Sequence, residues 1–273
     1  MKQILVATDF SNCASNAMEY AMELANILNV SVCAVHAIGT TEGIFNNTYN
    51  ALYIDDYYNN KSEALANWAY MFSSKKEFSH IHVSTLCKVG SVSTVLSEYI
   101  ASNSVELLVM GTMGATGISG LFGSNVSAMV EKTKTPTLII PLETKFSINP
   151  VITLATDYST HLSPNDVNAL NELIKAFNSE KIEVLNVLES PEWKTNEAGE
   201  ESLKALLMNV DFNFKYISEN STIEGIMNFI VSNNTDILCL VKHHHNLVYR
   251  IFNKSTVNKV MNRSVKAILI LHE

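Results

Sequence analysis

Residues 106–130 read ELLVMGTMGATGISGLFGSNVSAMV. The opening Glu106-Leu107-Leu108-Val109-Met110 is an apolar run of strand length. Val126-Ser127-Ala128-Met129-Val130 has the look of a helix start. Between them lie Gly111, Gly114, Gly117, Gly120 and Gly123, half of the ten glycines in the chain. Glycine reaches backbone conformations closed to other residues and lets a ligand approach the main chain. Ser124 and Asn125 are good N-cap types for the helix that follows. A glycine loop opening onto a helix start presents amide N–H groups and the positive end of a dipole to an anion. The stretch therefore predicts a phosphate cradle, with a ligand-free flexible connection as the bland alternative. It is not a Walker A loop, since no Gly-Lys-Ser/Thr closes it.

Composition narrows the rest. The chain has 273 residues, is 47% hydrophobic and carries 27 acidic against 19 basic residues, for a net charge of −8. That balance argues against a nucleic-acid partner, which calls for a basic face. Cys13, Cys33, Cys87 and Cys239 show no close spacing and read as free thiols. No apolar run is long enough to span a bilayer, and Met1-Lys2-Gln3 leads straight into a strand-like run. The expectation is a cytoplasmic protein with no membrane partner.

Upstream, residues 3–7 form a strand, Ser11 or Asn12 caps a helix, and Ala14, Ala17, Ala21, Leu24 and Leu28 recur at helical spacing. Val32 to Ile38 is a second strand. A strand–helix–strand opening implies a parallel sheet. Residues 39–60, rich in Asn and Tyr, read as a surface loop or lid, and Asp55-Asp56 within it as a solvated pair or, less simply, a metal site. A helix is expected from Lys61 to Ser74, a strand over 81–88, a helix after Gly90-Ser91 and a strand over 137–140.

Residues 142–150 read as a linker, after which the pattern restarts. Ile152-Thr153-Leu154-Ala155-Thr156-Asp157-Tyr158-Ser159 repeats Ile4-Leu5-Val6-Ala7-Thr8-Asp9-Phe10-Ser11, an internal repeat. Strands over 182–188, 212–217, 237–241 and 267–271 alternate with helices, one of them capped by Thr222. The expected class is α/β: two tandem, doubly wound, mainly parallel five-stranded sheets flanked by helices, Rossmann-like, spanning 1–142 and 150–273. In such sheets ligands bind beyond the carboxyl ends of the strands where strand order reverses.

The opening through Asp9, the Val109-Met110-Gly111 approach, Gly111-x-x-Gly114…Gly123-Ser124 and the ending Thr135-Pro136-Thr137-Leu138-Ile139-Ile140-Pro141 together resemble the universal stress protein family in its tandem form. The resemblance implies an adenine-nucleotide alpha-hydrolase-like fold, a role in stress response or signalling, and ATP, with a divalent ion such as Mg, as ligand. It assigns Thr8 and Asp9 to the adenosine part, Ala37 to the adenine pocket and Met110 and Gly111 to base and ribose. Gly114, Gly123, Ser124 and Asn125 would hold the phosphates. ATP-binding members keep nine residues between the second and third glycines, whereas Gly114 and Gly123 here are separated by eight. A scaffold that binds no nucleotide is therefore the alternative.

No Ser/His/Asp or Cys/His set stands out, so no enzyme is expected. His36 near the same mouth reads as packed. In the second copy, counting back from Ser255 places Lys242, His245 and Lys254 where Gly111, Gly114 and Gly123 stand, so that copy is expected to hold no ligand, with Asp157 capping a helix. Two outside readings of it are a metal at His243 and His245 and a small anion at Lys242, Arg250 and Lys254. Single-domain members of the family pair through their last strands. Thr137-Leu138-Ile139-Ile140 and Ala267-Ile268-Leu269-Ile270-Leu271 are therefore expected to meet within one chain as a pseudo-dimer, and the sequence leaves a further homodimer open.

Overall fold

The computed structural model describes residues 3–39, 51–112, 123–158, 164–177, 179, 181–189, 197–206, 210–242, 259–261 and 263–272. The first half runs β1 (Gln3–Ala7), α1 (Asn12–Leu28), β2 (Ser31–Ile38), α2 (Ala51–Ser73), β3 (Val83–Val89), α3 (Val92–Ser102), β4 (Leu107–Gly111), α4 (Ser124–Lys132) and β5 (Thr137–Ile140). The second half repeats it as β6 (Ile152–Ala155), α5 (Pro164–Ala176), β7 (Lys181–Leu188), α6 (Glu197–Leu206), β8 (Asp211–Ser218), α7 (Thr222–Ser232), β9 (Ile237–Lys242) and β10 (Ala267–His272).

The inner strands β1, β4, β5 and β10 run almost wholly apolar because helices cover both faces of the sheet there, whereas the outer strands β3 and β8 carry polar residues and are only partly buried. Ile4 and Val6 of β1 face α1 and α2, and Leu5 faces α3 and α4. Helix α1 starts where Ser11 accepts from the Ala14 amide, and ends at Asn29, whose left-handed φ of 52° returns its N–H to Ala25 O. Its small residues Ala14, Ala17, Ala21 and Ala25 lie flush on the sheet.

The two sheets are not separate. Ten strands form one sheet in the order β3-β2-β1-β4-β5-β10-β9-β6-β7-β8. Every neighbouring pair is parallel except β5–β10, which is antiparallel with Ile139 opposite Ile268 and Leu138 opposite Leu269. Apolar side chains on both faces of these two strands explain the pairing: an uncovered edge of this kind would invite aggregation. Both hydrophobic clusters run through the seam into the two halves. Residues 142–150 are also fastened. Phe146 packs between Tyr20 and Phe177, at ring-centroid distances of 5.0 and 5.7 Å, and Thr144 Oγ1 donates to Val265 O.

Several boundaries differ from expectation. Helix α2 begins at Ala51, so residues 51–60 are helix, not loop. Their Asn and Tyr content masks an i,i+4 relation in which Lys61 lies over the Tyr57 ring. Asp55 and Asp56 are exposed on this helix, and no metal-ligand cluster exists among the described residues. Residues 40–50 of the expected loop or lid over 39–60 lie outside the described residues. Thr222 is the first residue of α7, not its cap. Ser221 is the cap, and the Thr222 amide and hydroxyl both donate to Glu189 Oε1. All four cysteines are free thiols, and burial pushes Cys239 up to about 12. No helix of the described residues is long and apolar enough to cross a membrane.

Because Leu269 is fully buried in the seam, Leu269→Ala should lower unfolding free energy by about 2–5 kcal/mol. Urea denaturation checks this, and a loss under about 1 kcal/mol would show that the seam adds little.

Candidate functional site

Strand order reverses between β1 and β4, since β2 and β3 lie to one side of β1 and β5 lies beyond β4. A cleft of about 760 Å³, including its solvent-open mouth, sits at the carboxyl ends of these strands. Thr8 and Asp9 border it from the end of β1 and Ala37 from the end of β2. Met110, Gly111 and Thr112 border it from β4, and Gly123, Ser124 and Asn125 from the start of α4. Eight of the nine site residues named from sequence thus share one cleft; Gly114 lies outside the described residues. Val92 and Leu96 of α3 close the apolar wall. Sequence patterning did not single them out, because they look like any helix core positions.

The β1 turn is tightly made. Thr8 Oγ1 accepts from the Phe10 amide and Asp9 Oδ1 from the Ser11 amide. Phe10 adopts φ 66°, a conformation that costs a non-glycine residue and clusters at functional turns. His36 supports the turn from below. Its Nδ1 donates to Thr8 O at 2.8 Å and its ring lies 4.5 Å from Phe10. The second half repeats the device, with Tyr158 at φ 59° and Asn186 Nδ2 donating to Thr156 O at 2.7 Å. A histidine replaced in the repeat by an asparagine doing the same task is a turn support rather than a reacting group.

Gly111 has a structural reason as well as a position in the cleft. A Cβ there would meet Cys13 Sγ at 2.9 Å and the Cys13 carbonyl carbon and oxygen at 3.0 Å. The glycine lets the first turn of α1 approach the end of β4. Cys13 Sγ also donates to Ile140 O at 3.6 Å. Beyond Gly111, the Gly123 amide donates to Thr112 O at 3.1 Å, so the end of β4 and the start of α4 are tied together.

Capping of α4 differs from expectation. Gly123 is the N-cap, no side chain caps this end, and Ser124 and Asn125 are exposed first-turn residues. The bond from Gly123 to Thr112 fixes the cap one residue earlier than side-chain preference alone suggests. The Val126 and Ser127 amides donate to Gly123 O, and Ser124 and Asn125, whose amides come too early in the helix for an intrahelical acceptor, border the cleft. Asp9 is the only charged residue along the cleft's described lining.

In the second half the strand registers correct the sequence count by one. Ile4 lies beside Leu107 and its repeat Ile152 beside Ile237, so Gly111 corresponds to Val241 and Thr112 to Lys242. Counting from Ser255 assumed loops of equal length. Lys242 is 6% exposed and its Nζ donates to Val130 O and Glu131 O of the first half, so its ammonium faces carbonyls across the seam. His243, His245, Arg250 and Lys254 lie outside the described residues.

Gly111→Ala should therefore destabilise the fold by about 1–3 kcal/mol through overpacking against α1, read as a lower melting temperature without any ligand. An unchanged melting temperature would remove the structural reason for this glycine.

Residues 1–141, just over half of the chain, match the family model described as Universal stress protein family. No curated protein sequence matches the chain. Among solved structures, the fold is similar to a universal stress protein from Archaeoglobus fulgidus DSM 4304, with 15% identity, a TM-score of 0.72 and coverage of 98% of this chain and 97% of that one. It is also similar to a protein assigned to the same family from Pseudomonas aeruginosa UCBPP-PA14, with 12% identity, a TM-score of 0.61 and coverage of 100% and 93%. At these identities the likeness speaks for the fold, and the family model supplies the family. The chain belongs to the universal stress protein family.

Proposed function

We propose that the first half, residues 1–142, binds one adenine nucleotide, ATP together with a divalent ion, and that the second half, residues 150–273, holds none. What carries this reading is the convergence of Asp9, Ala37, Met110 and the start of α4 on one cleft at the strand-order reversal. Asp9 suits ribose hydroxyls or the adenine amine as an acceptor. Ala37 and Met110, with Val92 and Leu96, offer an apolar slot for a flat base. Gly114 and Gly123 would leave room for the phosphates, and Ser124 and Asn125 suit them through their main-chain amides, the Ser124 hydroxyl and a helix end equivalent to about half a positive charge. No Lys or Arg occurs from residue 111 to 126, so a divalent ion would supply the remaining charge. In a protein of this family the fitting role is nucleotide-dependent signalling under stress, by binding rather than turnover. The one-residue-shorter spacing from Gly114 to Gly123 favours the second reading, a scaffold of the same fold with no nucleotide.

Calorimetry of the full chain with ATP and Mg should give one site per chain. Gly114→Val should abolish binding. Ser124→Ala should weaken it by about 1–2 kcal/mol, roughly 5- to 30-fold. Two equal sites would contradict the asymmetry, unchanged affinity in Gly114→Val would contradict the site, and no binding at all would leave the scaffold. A phosphate-release assay with ATP reads the absence of efficient turnover, and multiple rapid turnovers would overturn it.

A further inference from the structure

Lys242 ends β9 in the second half, yet its ammonium serves the first. Its side chain is almost wholly buried, and Nζ donates to Val130 O at 2.8 Å and Glu131 O at 3.2 Å. Those carbonyls belong to the last turn of α4, Ser124–Lys132. The carbonyls of a last turn have no partner inside their own helix, and a cation placed there opposes the negative end of the dipole. The first half has Thr112 at the equivalent position, so the arrangement runs one way, from the second half to the first.

The helix is short, nine residues or about 13 Å, and its far end borders the cleft. Three apolar residues, Val126, Met129 and Val130, hold it to the sheet. Polar ties fix its two ends: Gly123 N to Thr112 O at the start, and Lys132 Nζ to Ser93 Oγ at the finish, beside the Lys242 pair. With few apolar anchors, the position of the leading amides depends on how firmly the trailing turn is held.

We propose that Lys242 is a positioning residue for the first half's nucleotide site: by capping the last turn of α4 across the seam, it sets where the phosphate-facing first turn stands. The assignment rests on the nucleotide reading above, and it gives the second half a part in binding although it holds no ligand. Lys242→Met keeps the apolar stem and removes the charge and the donors. Two measurements on the full chain separate positioning from general stability. Amide exchange in residues 124–132 of the ligand-free variant should speed up roughly five- to tenfold, while residues 12–28 of α1 keep the wild-type rate. Affinity for ATP with Mg should fall by a similar factor while affinity for adenosine, which lacks phosphates, stays unchanged. Lys242→Arg, which keeps charge and donors, should restore both.

Equal acceleration in α1 and α4, equal losses for ATP and adenosine, or no change in either measurement would overturn the proposal. If wild-type protein binds neither ATP nor adenosine, the nucleotide reading fails, and the exchange experiment alone then decides whether Lys242 holds α4. Should the methionine variant fail to fold, Lys242→Gln, which keeps one donor without the charge, carries the same comparison with a smaller effect in the same direction.

Discussion

The molecule depends on the antiparallel contact between β5 and β10. Each half alone would end in a strand with apolar side chains on both faces and an open row of main-chain donors and acceptors. Joined, Ile139 and Ile268 face one helix layer while Leu138 and Leu269 face the other. Both cores then become continuous across the chain. The pairing also brings the end of β9 against the last turn of α4, which is why a lysine of one repeat reaches carbonyls of the other. A second half that keeps the fold but not the glycines is consistent with selection for the seam rather than for a second cleft.

The cleft arises from the same topology. Parallel strands leave their carboxyl ends at one rim, and the reversal between β1 and β4 leaves a gap that no crossover helix fills. Local chemistry then shapes that gap. Phe10 takes a left-handed φ just after Asp9, the Ser11 amide holds the Asp9 carboxylate, and His36 holds the Thr8 carbonyl. Gly111 lets α1 close in from one side, and the Gly123–Thr112 bond anchors α4 on the other.

Much of this was legible in the sequence because it rests on short-range pattern. Apolar runs gave the strands, Ser11-Asn12 the start of α1, and Ala-Thr-Asp-aromatic-Ser the repeat and hence the topology. The meeting of Asp9 and Gly111 at one mouth followed from the expected strand order, and Met110 and Gly123 joined them through the family resemblance. What stayed hidden depends on distance. Nothing near Lys242 in sequence announces a partner more than a hundred residues away. Gly111 looked like a ligand-facing glycine, and only the approach of Cys13 gives it a packing reason. The Asn- and Tyr-rich start of α2 disguised a helix whose side chains from 55 to 60 are exposed or half-buried, so no apolar face marked it. The cap of α4 moved to Gly123 because a main-chain bond to Thr112 outweighs the side-chain preference of Ser124.

One half of this duplicated chain is proposed to bind a nucleotide and the other to bind none. The most direct measurement is a backbone amide NMR titration of the full chain with ATP and Mg. Saturable shifts are expected at Asp9, Gly111 and Gly123 to Asn125, with Asp157 and Val241, the counterparts of Asp9 and Gly111 across the repeat, unmoved. Matching shifts in both halves, or none in either at millimolar ligand, would contradict the proposal.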